Sequence, residues 1–193
     1  MKVFLIFAVI IVLTACAENK EVPQEISPIE ESRNITNYDE VEISLGEAAT
    51  TILDTGINRV NNIQIACESI SGTSLFPGDE FSFNKVVGER SHKKGYKDAP
   101  IIFHGEKSYG TGGGVCQVSS TVYMAAVNAG MEITERHTHS EKVSYAPGSD
   151  ATVVYGEKDM RFKNNTEDSV FIYTWVQEEK VYAKIVKNEK TEY

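Results

Sequence analysis

GTGGGVCQVSSTVYMAAVNAG, residues 110–130, decides how the chain is read. A glycine-rich bend leads into a helix expected over Cys116 to Ala129. Val118, Val122, Ala125, Ala126 and Ala129 fall on one small apolar face, and Gly130 suits the position just past the helix end. Cys116 then occupies the first turn. Unpaired N–H groups and the positive end of the helix dipole favour a thiolate there, which makes the thiol a better nucleophile near neutral pH. Gly112, Gly113 and Gly114 lack side chains, so a substrate backbone has room to approach, and the exposed N–H groups suit an oxyanion. The arrangement points to acyl transfer through a thioester.

A nucleophilic thiol needs a base. Downstream lies MEITERHTHS, residues 131–140. Read as a strand over 131–139, it gives Met131, Ile133, His137 and His139 one parity, with both imidazoles on the apolar face. The helix carries the chain about 18 Å away from Cys116, and six residues of strand return about 20 Å. His137 or His139 is therefore expected beside Cys116, with His139 preferred. Asp150, Asp159 and Glu135 are candidates to orient the chosen ring. Other readings of the same residues are a packed cysteine, a Cys67–Cys116 disulfide, or a zinc site built from the thiolate and two imidazoles.

Outward from this segment, NRVNNIQIACESI (58–70) places Val60, Ile63, Ala66 or Cys67, and Ile70 at helical spacing, so Cys67 reads as a core residue. Leu75 to Asp79 is turn chemistry, and Phe81-Ser82-Phe83 opens a strand. Ala99 to Tyr109 reads as a hairpin with His104-Gly105-Glu106 at its tip. His104 and His92 read as solvated. Strands are expected at Ala151–Tyr155, Met160–Lys163, Val170–Val176 and Val181–Val186. The fold class is α+β: a single domain with N-terminal helices packed on a mainly antiparallel sheet, and a Gly-rich loop leading into a Cys-bearing helix.

The chain has 193 residues, with Lys+Arg 19 against Asp+Glu 28 and a net charge of −9. That length suits one domain with a real core. No basic run interleaves with aromatics, which argues against nucleic acid as a partner. The N-terminus reads MKVFLIFAVIIVLTAC. Its apolar run, Val3 to Leu13, spans roughly 16 Å as a helix, about half a bilayer core, so it reads as the h-region of an export signal. Leu13-Thr14-Ala15-Cys16 resembles the lipobox of bacterial lipoproteins, which implies cleavage before Cys16 and lipid on that residue. The expected organisation is a signal peptide (1–15), a lipidated Cys16 with a flexible acidic tether (16–45), and a folded domain (46–193). Losing residues 1–15 removes a lysine and no acid, so lipid rather than charge would hold the protein at an anionic membrane.

Several blocks together resemble the VanW domain family, named after an accessory protein of vancomycin-resistance clusters. They are NRVNNIQIA, FPGDEFSFNKVVGER, GYKDAP, GTGGGVCQVSSTVY, ERHTHS, DATVVYG and DMRFKNNT, in order from Asn58 to Thr166. The resemblance implies an extracytoplasmic protein associated with the cell wall. Some VanW domains are thought to be peptidoglycan L,D-transpeptidases that use the motif cysteine, which here is Cys116. This implies attack on the bond between the third and fourth residues of a stem peptide, with no cofactor and no metal. Arg90, Gln117 and Arg136 also lie in matched blocks, and an arginine there suits a stem-peptide carboxylate. Pairing of either arginine with one of the many acids is the competing expectation.

Overall fold

The computed structural model describes residues 38–103 and 106–192. The signal segment, Cys16, most of the tether and His104 lie outside the described residues. Period-2 alternation of Val41, Ile43 and Leu45 starts the first strand earlier than the expected domain boundary at residue 46. Strand β1 runs Tyr38–Thr51 and pairs antiparallel along β9 (Lys180–Glu192). A bulge between Ser44 and Gly46 shifts the inward parity from Ile43 and Leu45 to Ala48 and Thr50. Acidic residues on the open side of this strand, such as Glu42 paired with Lys184 at 2.7 Å, gave it the composition of a tether.

Helix α1 (Ile57–Ile70) buries Asn62, Ile63, Ala66, Cys67 and Ile70. Strands β2 (Thr73–Leu75) and β3 (Glu80–Ser82) follow. Phe83 opens helix α2 (Phe83–Val87) instead of continuing a strand, because Ser82 Oγ accepts the Lys85 N–H at 3.1 Å and caps the turn. A 3-10 turn at His92–Lys94 leads to the hairpin of β4 (Asp98–Phe103) and β5 (Glu106–Thr111). Helix α3 (Val115–Asn128), β6 (Glu132–Glu135), β7 (Arg161–Lys163) and β8 (Val170–Gln177) complete the order before β9.

The strands form three antiparallel sheets: four strands in the order β1-β9-β8-β2, three in the order β3-β7-β6, and the β4-β5 hairpin. The fold is α+β, with α3 packed on β1 and β9 and α1 on β8. Inward residues alternate cleanly: Val170, Ile172 and Thr174 on β8, and Val181, Ala183 and Ile185 on β9. Stacked Phe81 and Phe162, 4.9 Å apart, tie the small sheet to the same core.

Two expected strands are shorter or absent. β6 stops at Glu135, where Arg136 turns to brace a neighbouring loop. Ala151–Tyr155 is not a strand, because its polar groups go elsewhere: the Ala151 N–H to Ser120 Oγ at 2.9 Å, the Thr152 N–H to the His137 carbonyl at 2.7 Å. A single bridge, Val154 with Lys158, is all that remains of sheet pairing there. Among the described residues, no helix is long and apolar enough to cross a membrane.

Candidate active site

α3 begins at a left-handed glycine, Gly114, with φ of 107°. The three glycines before the helix are needed for packing against the protein itself. A Cβ on Gly113 would lie 2.6 Å from the Pro100 carbonyl oxygen. One on Gly114 would lie 2.9 Å from Ile63 Cγ1, and one on Gly112 would lie 2.8 Å from Arg90 Cβ. The expected role in admitting a substrate backbone is therefore corrected: these faces are filled by β4, α1 and Arg90. Asn62, fully buried, fixes the bend by donating to the Gly113 and Lys97 carbonyls at 3.0 and 2.9 Å.

Cys116 is the second residue of α3 and is partly exposed. The N–H groups of Val115 and Gln117 are taken by the Gly112 and Gly114 carbonyls. That of Cys116 has no main-chain acceptor among the described residues, so it is free to donate at the helix end. Sγ lies 3.5 Å from Thr152 Oγ1 and 3.5 Å from the Val153 carbonyl oxygen. Ser120, one turn on, donates to the Cys116 carbonyl at 2.8 Å and accepts the Ala151 N–H, so the helix and the 150s loop are pinned together.

His139 completes the contact from that loop. Its main-chain N–H and its Nδ1 both reach Asp150 Oδ2 at 2.7 Å, and both side chains are about nine-tenths buried. Nδ1 is thereby occupied, which leaves Nε2 as the ring nitrogen able to exchange a proton with another group. Burial resists ionisation of Cys116, but hydrogen bonds from His139 and Thr152 and the imidazole's charge outweigh it, leaving the thiol below its ordinary value. Burial likewise works against a charged His139, and the Cys116 and Asp150 partners overcome it, so the imidazole is raised. Asp150 sits below the usual carboxylate range: burial opposes this, and the N–H and ring of His139 prevail.

Cys116, His139 and Asp150 thus form one electrostatically coupled group, in which His139 is hydrogen-bonded to Asp150 and lowers the thiol. His137 is not in it. With β6 ended at Glu135, the strand parity does not extend to residue 137, and its Nε2 meets Glu135 Oε1 at 2.9 Å. Cys116, His137 and His139, the alternative zinc set, do not form a metal-capable group among the described residues. Asp159 is spent on Ser82 Oγ (2.6 Å), the Asn84 N–H (2.8 Å) and Arg161 Nε (2.9 Å). Cys67 and Cys116 are both free thiols; burial pushes Cys67 up to about 12, with Glu68 adding to the rise.

The other nominated residues are internal supports. Gln117, 1% exposed, donates to Thr50 Oγ1 at 3.2 Å and the Thr51 carbonyl at 2.9 Å. Arg136 lies flat over Tyr123 at 4.4 Å and donates to the carbonyls of Asp150 and Gly148, bracing the loop that carries the carboxylate. Arg90 donates to Asn84 Oδ1 and the Gly88 carbonyl, and its Nη2 is sealed from solvent without a partner. Burial lowers this guanidinium, while negative charge on Cys116 works the other way.

Three neighbours were not foreseen from sequence. Thr152 sits in a run that reads as a strand. Tyr145 sets its ring 6.4 Å from His139, edge-on, and burial and Cys116 push its phenol up, so it stays a neutral hydroxyl. Arg59 reads as an ordinary polar helix residue, yet its Nη2 donates to Gln117 Oε1 at 3.1 Å.

The chain is an α+β domain that sets a lowered thiol, Cys116, at the N-terminal end of α3, with the His139–Asp150 pair on the neighbouring loop. Residues 58–186 match the family model described as VanW like protein, and the chain belongs to this family. It is 45% identical over 129 residues to the uncharacterized protein YoaR of Bacillus subtilis (strain 168), covering 66% of this chain and 43% of that protein. It is 28% identical over 134 residues to the vancomycin B-type resistance protein VanW of Enterococcus faecalis (strain ATCC 700802 / V583), covering 66% of this chain and 49% of that one. The matched stretch is thus less than half of each relative. No solved structure matches the chain.

Proposed function

We propose that this protein is a cell-surface cysteine acyltransferase acting on peptidoglycan stem peptides, held at the outer face of the membrane by lipid on Cys16. The observation that carries the reading is the 2.7 Å pairing of His139 with Asp150 at the open end of α3, where Cys116 is held below its ordinary thiol value. The Cys116 thiolate attacks the carbonyl carbon of the third stem residue. The resulting oxyanion is met by the free Cys116 N–H and the helix end. As the tetrahedral intermediate collapses, the C–N bond breaks and the imidazolium of His139 gives its proton to the departing amine of the terminal residue. A thioester remains on Sγ. An amine of a second stem, losing its proton to His139, attacks that thioester, forms the new amide and frees the thiol. Water in place of the amine gives carboxypeptidase activity.

The Enterococcus relative carries vancomycin resistance in its name, and a changed pattern of stem termini is the route by which this chemistry would touch such resistance. The test is intact-protein mass spectrometry after incubation with a tetrapeptide stem. The expected product is an adduct on Cys116 equal to the stem minus its last residue, absent from Cys116→Ala. Saturable binding of the stem with no adduct at any time would replace the enzyme with a wall-binding module. Loss of membrane retention in Cys16→Ser tests the anchor separately.

A further inference from the structure

In a chain with 28 acidic residues, Arg59 has no carboxylate partner among the described residues, although it is half-buried. Its Nη2 is held by Gln117 Oε1 at 3.1 Å. The Gln117 amide nitrogen is committed to Thr50 and Thr51, so its oxygen is turned permanently toward the guanidinium. Nε is buried without a partner. A Cβ on Gly114 would lie 3.0 Å from Arg59 Cγ, so the arginine stem lies across the bend that opens α3. Gln117 follows Cys116 directly, which puts the guanidinium within a side chain's length of the turn that bears the nucleophile.

Arg59 also lines a groove of about 270 Å³, whose walls include Ile57, Pro100 and Tyr109. Ile57 is 85% and Tyr109 76% exposed, an unusual pair of open apolar surfaces around a cation. Two acids share the lining, but both are engaged: Asp98 with His92 and Thr111, Asp54 with the Gly56 N–H. Arg90 and Arg136 have their donors fixed or sealed within the protein. Arg59 is the cation with room for a ligand.

We propose that Arg59 receives the free α-carboxylate of the acyl-donor peptide, with Ile57, Pro100 and Tyr109 enclosing its terminal residue. The identity of that ligand rests on the acyl-transfer reading above. A guanidinium held on one side and open on the other recognises a planar carboxylate and discriminates against a neutral amide. The consequence is a preference for a peptide whose free terminal carboxylate reaches Arg59 while its scissile carbonyl meets Cys116.

The test uses the full chain carrying Cys116→Ala, so that binding is read without turnover. Affinity is measured for a synthetic tetrapeptide stem with a free C-terminal carboxylate and for the same peptide ended as a carboxamide. The expected result is binding of the amide at least about tenfold weaker. Arg59→Gln should reduce the acid to the amide's level and leave the amide unchanged, with Arg59→Lys in between. Equal affinity for acid and amide overturns the proposal, as does no saturable binding of the acid. The acid–amide comparison needs no change at residue 59, so it stands even if that variant folds poorly. Adduct formation on unsubstituted protein is read separately: discrimination without an adduct removes the chemistry and keeps the carboxylate site, and an adduct without discrimination does the reverse.

Discussion

Asp150 Oδ2 is 2.7 Å from two nitrogens of one residue, the main-chain N and the Nδ1 of His139. This double contact sets both the position of the residue and the tautomer of its ring. The carboxylate holds Nδ1 as a donor, so proton traffic with the sulfur falls to the opposite nitrogen.

Asp150→Asn should keep the fold and cost about 10²–10⁴-fold in the rate of adduct formation on Cys116, since the amide supports the wrong tautomer. The variant should also differ in acid. A carboxyl lowered by folding contributes stability that is present above its unfolded value, near 3.8, and is lost as pH falls through the lowered one. Acid unfolding of the unsubstituted protein carries that component, and a urea series at stepped pH should find it missing from Asp150→Asn.

Alkylation by iodoacetamide should mark Cys116 and spare Cys67 in the native protein, read by peptide mapping. The Cys116 profile should have its midpoint below the ordinary thiol value of 9.0. Because thiol and imidazole titrate together, that midpoint belongs to the pair. In His139→Ala the imidazole's hydrogen bond and charge are gone while burial remains, so the midpoint should move upward. An unchanged profile would show that the imidazole does not govern the thiol. Cys67, raised to about 12 on the buried face of α1, serves as the internal control.

Stability should rise at the β8–β9 hairpin. Glu178 and Glu179 form its two-residue turn with φ of 48° and 57°, a left-handed pair in which asparagine and glycine rest far more easily. Replacing them with Asn-Gly should add about 0.5–1 kcal/mol, measured by urea denaturation. The Ile52 N–H, which donates to the Glu179 carbonyl at 2.7 Å, keeps its acceptor in the variant.

Local periodicity carried most of the fold. α1, α3 and the last two strands are legible because each buries one face at a regular spacing. Reading failed where the backbone leaves regular structure to build the site. Residues 136–139 and 151–155 read as strands, yet polar groups of this region pair with Ser120, Arg136 and one another. The nomination of Cys116 needed only a helix end, whereas His139 was reached through a strand parity that in fact stops at Glu135, and Asp150 was one of three candidate acids. The glycines misled because empty space at a missing side chain can be filled from within the protein as readily as by a ligand. Arg59 was invisible, since nothing in a sequence shows that a cation lacks a counterion.

Gly46 ties these parts together. A Cβ there would press on the Ala129 nitrogen and lie 2.7 Å from the Ala125 carbonyl oxygen, so the far end of α3 rests directly on bare main chain at the β1 bulge. The helix is therefore clamped like a beam seated at both supports, its loaded tip at Cys116 and its heel on residue 46. Any bulk added at that heel would tilt the tip, which makes a residue 70 positions upstream of the thiol a sensitive adjuster of where the sulfur sits.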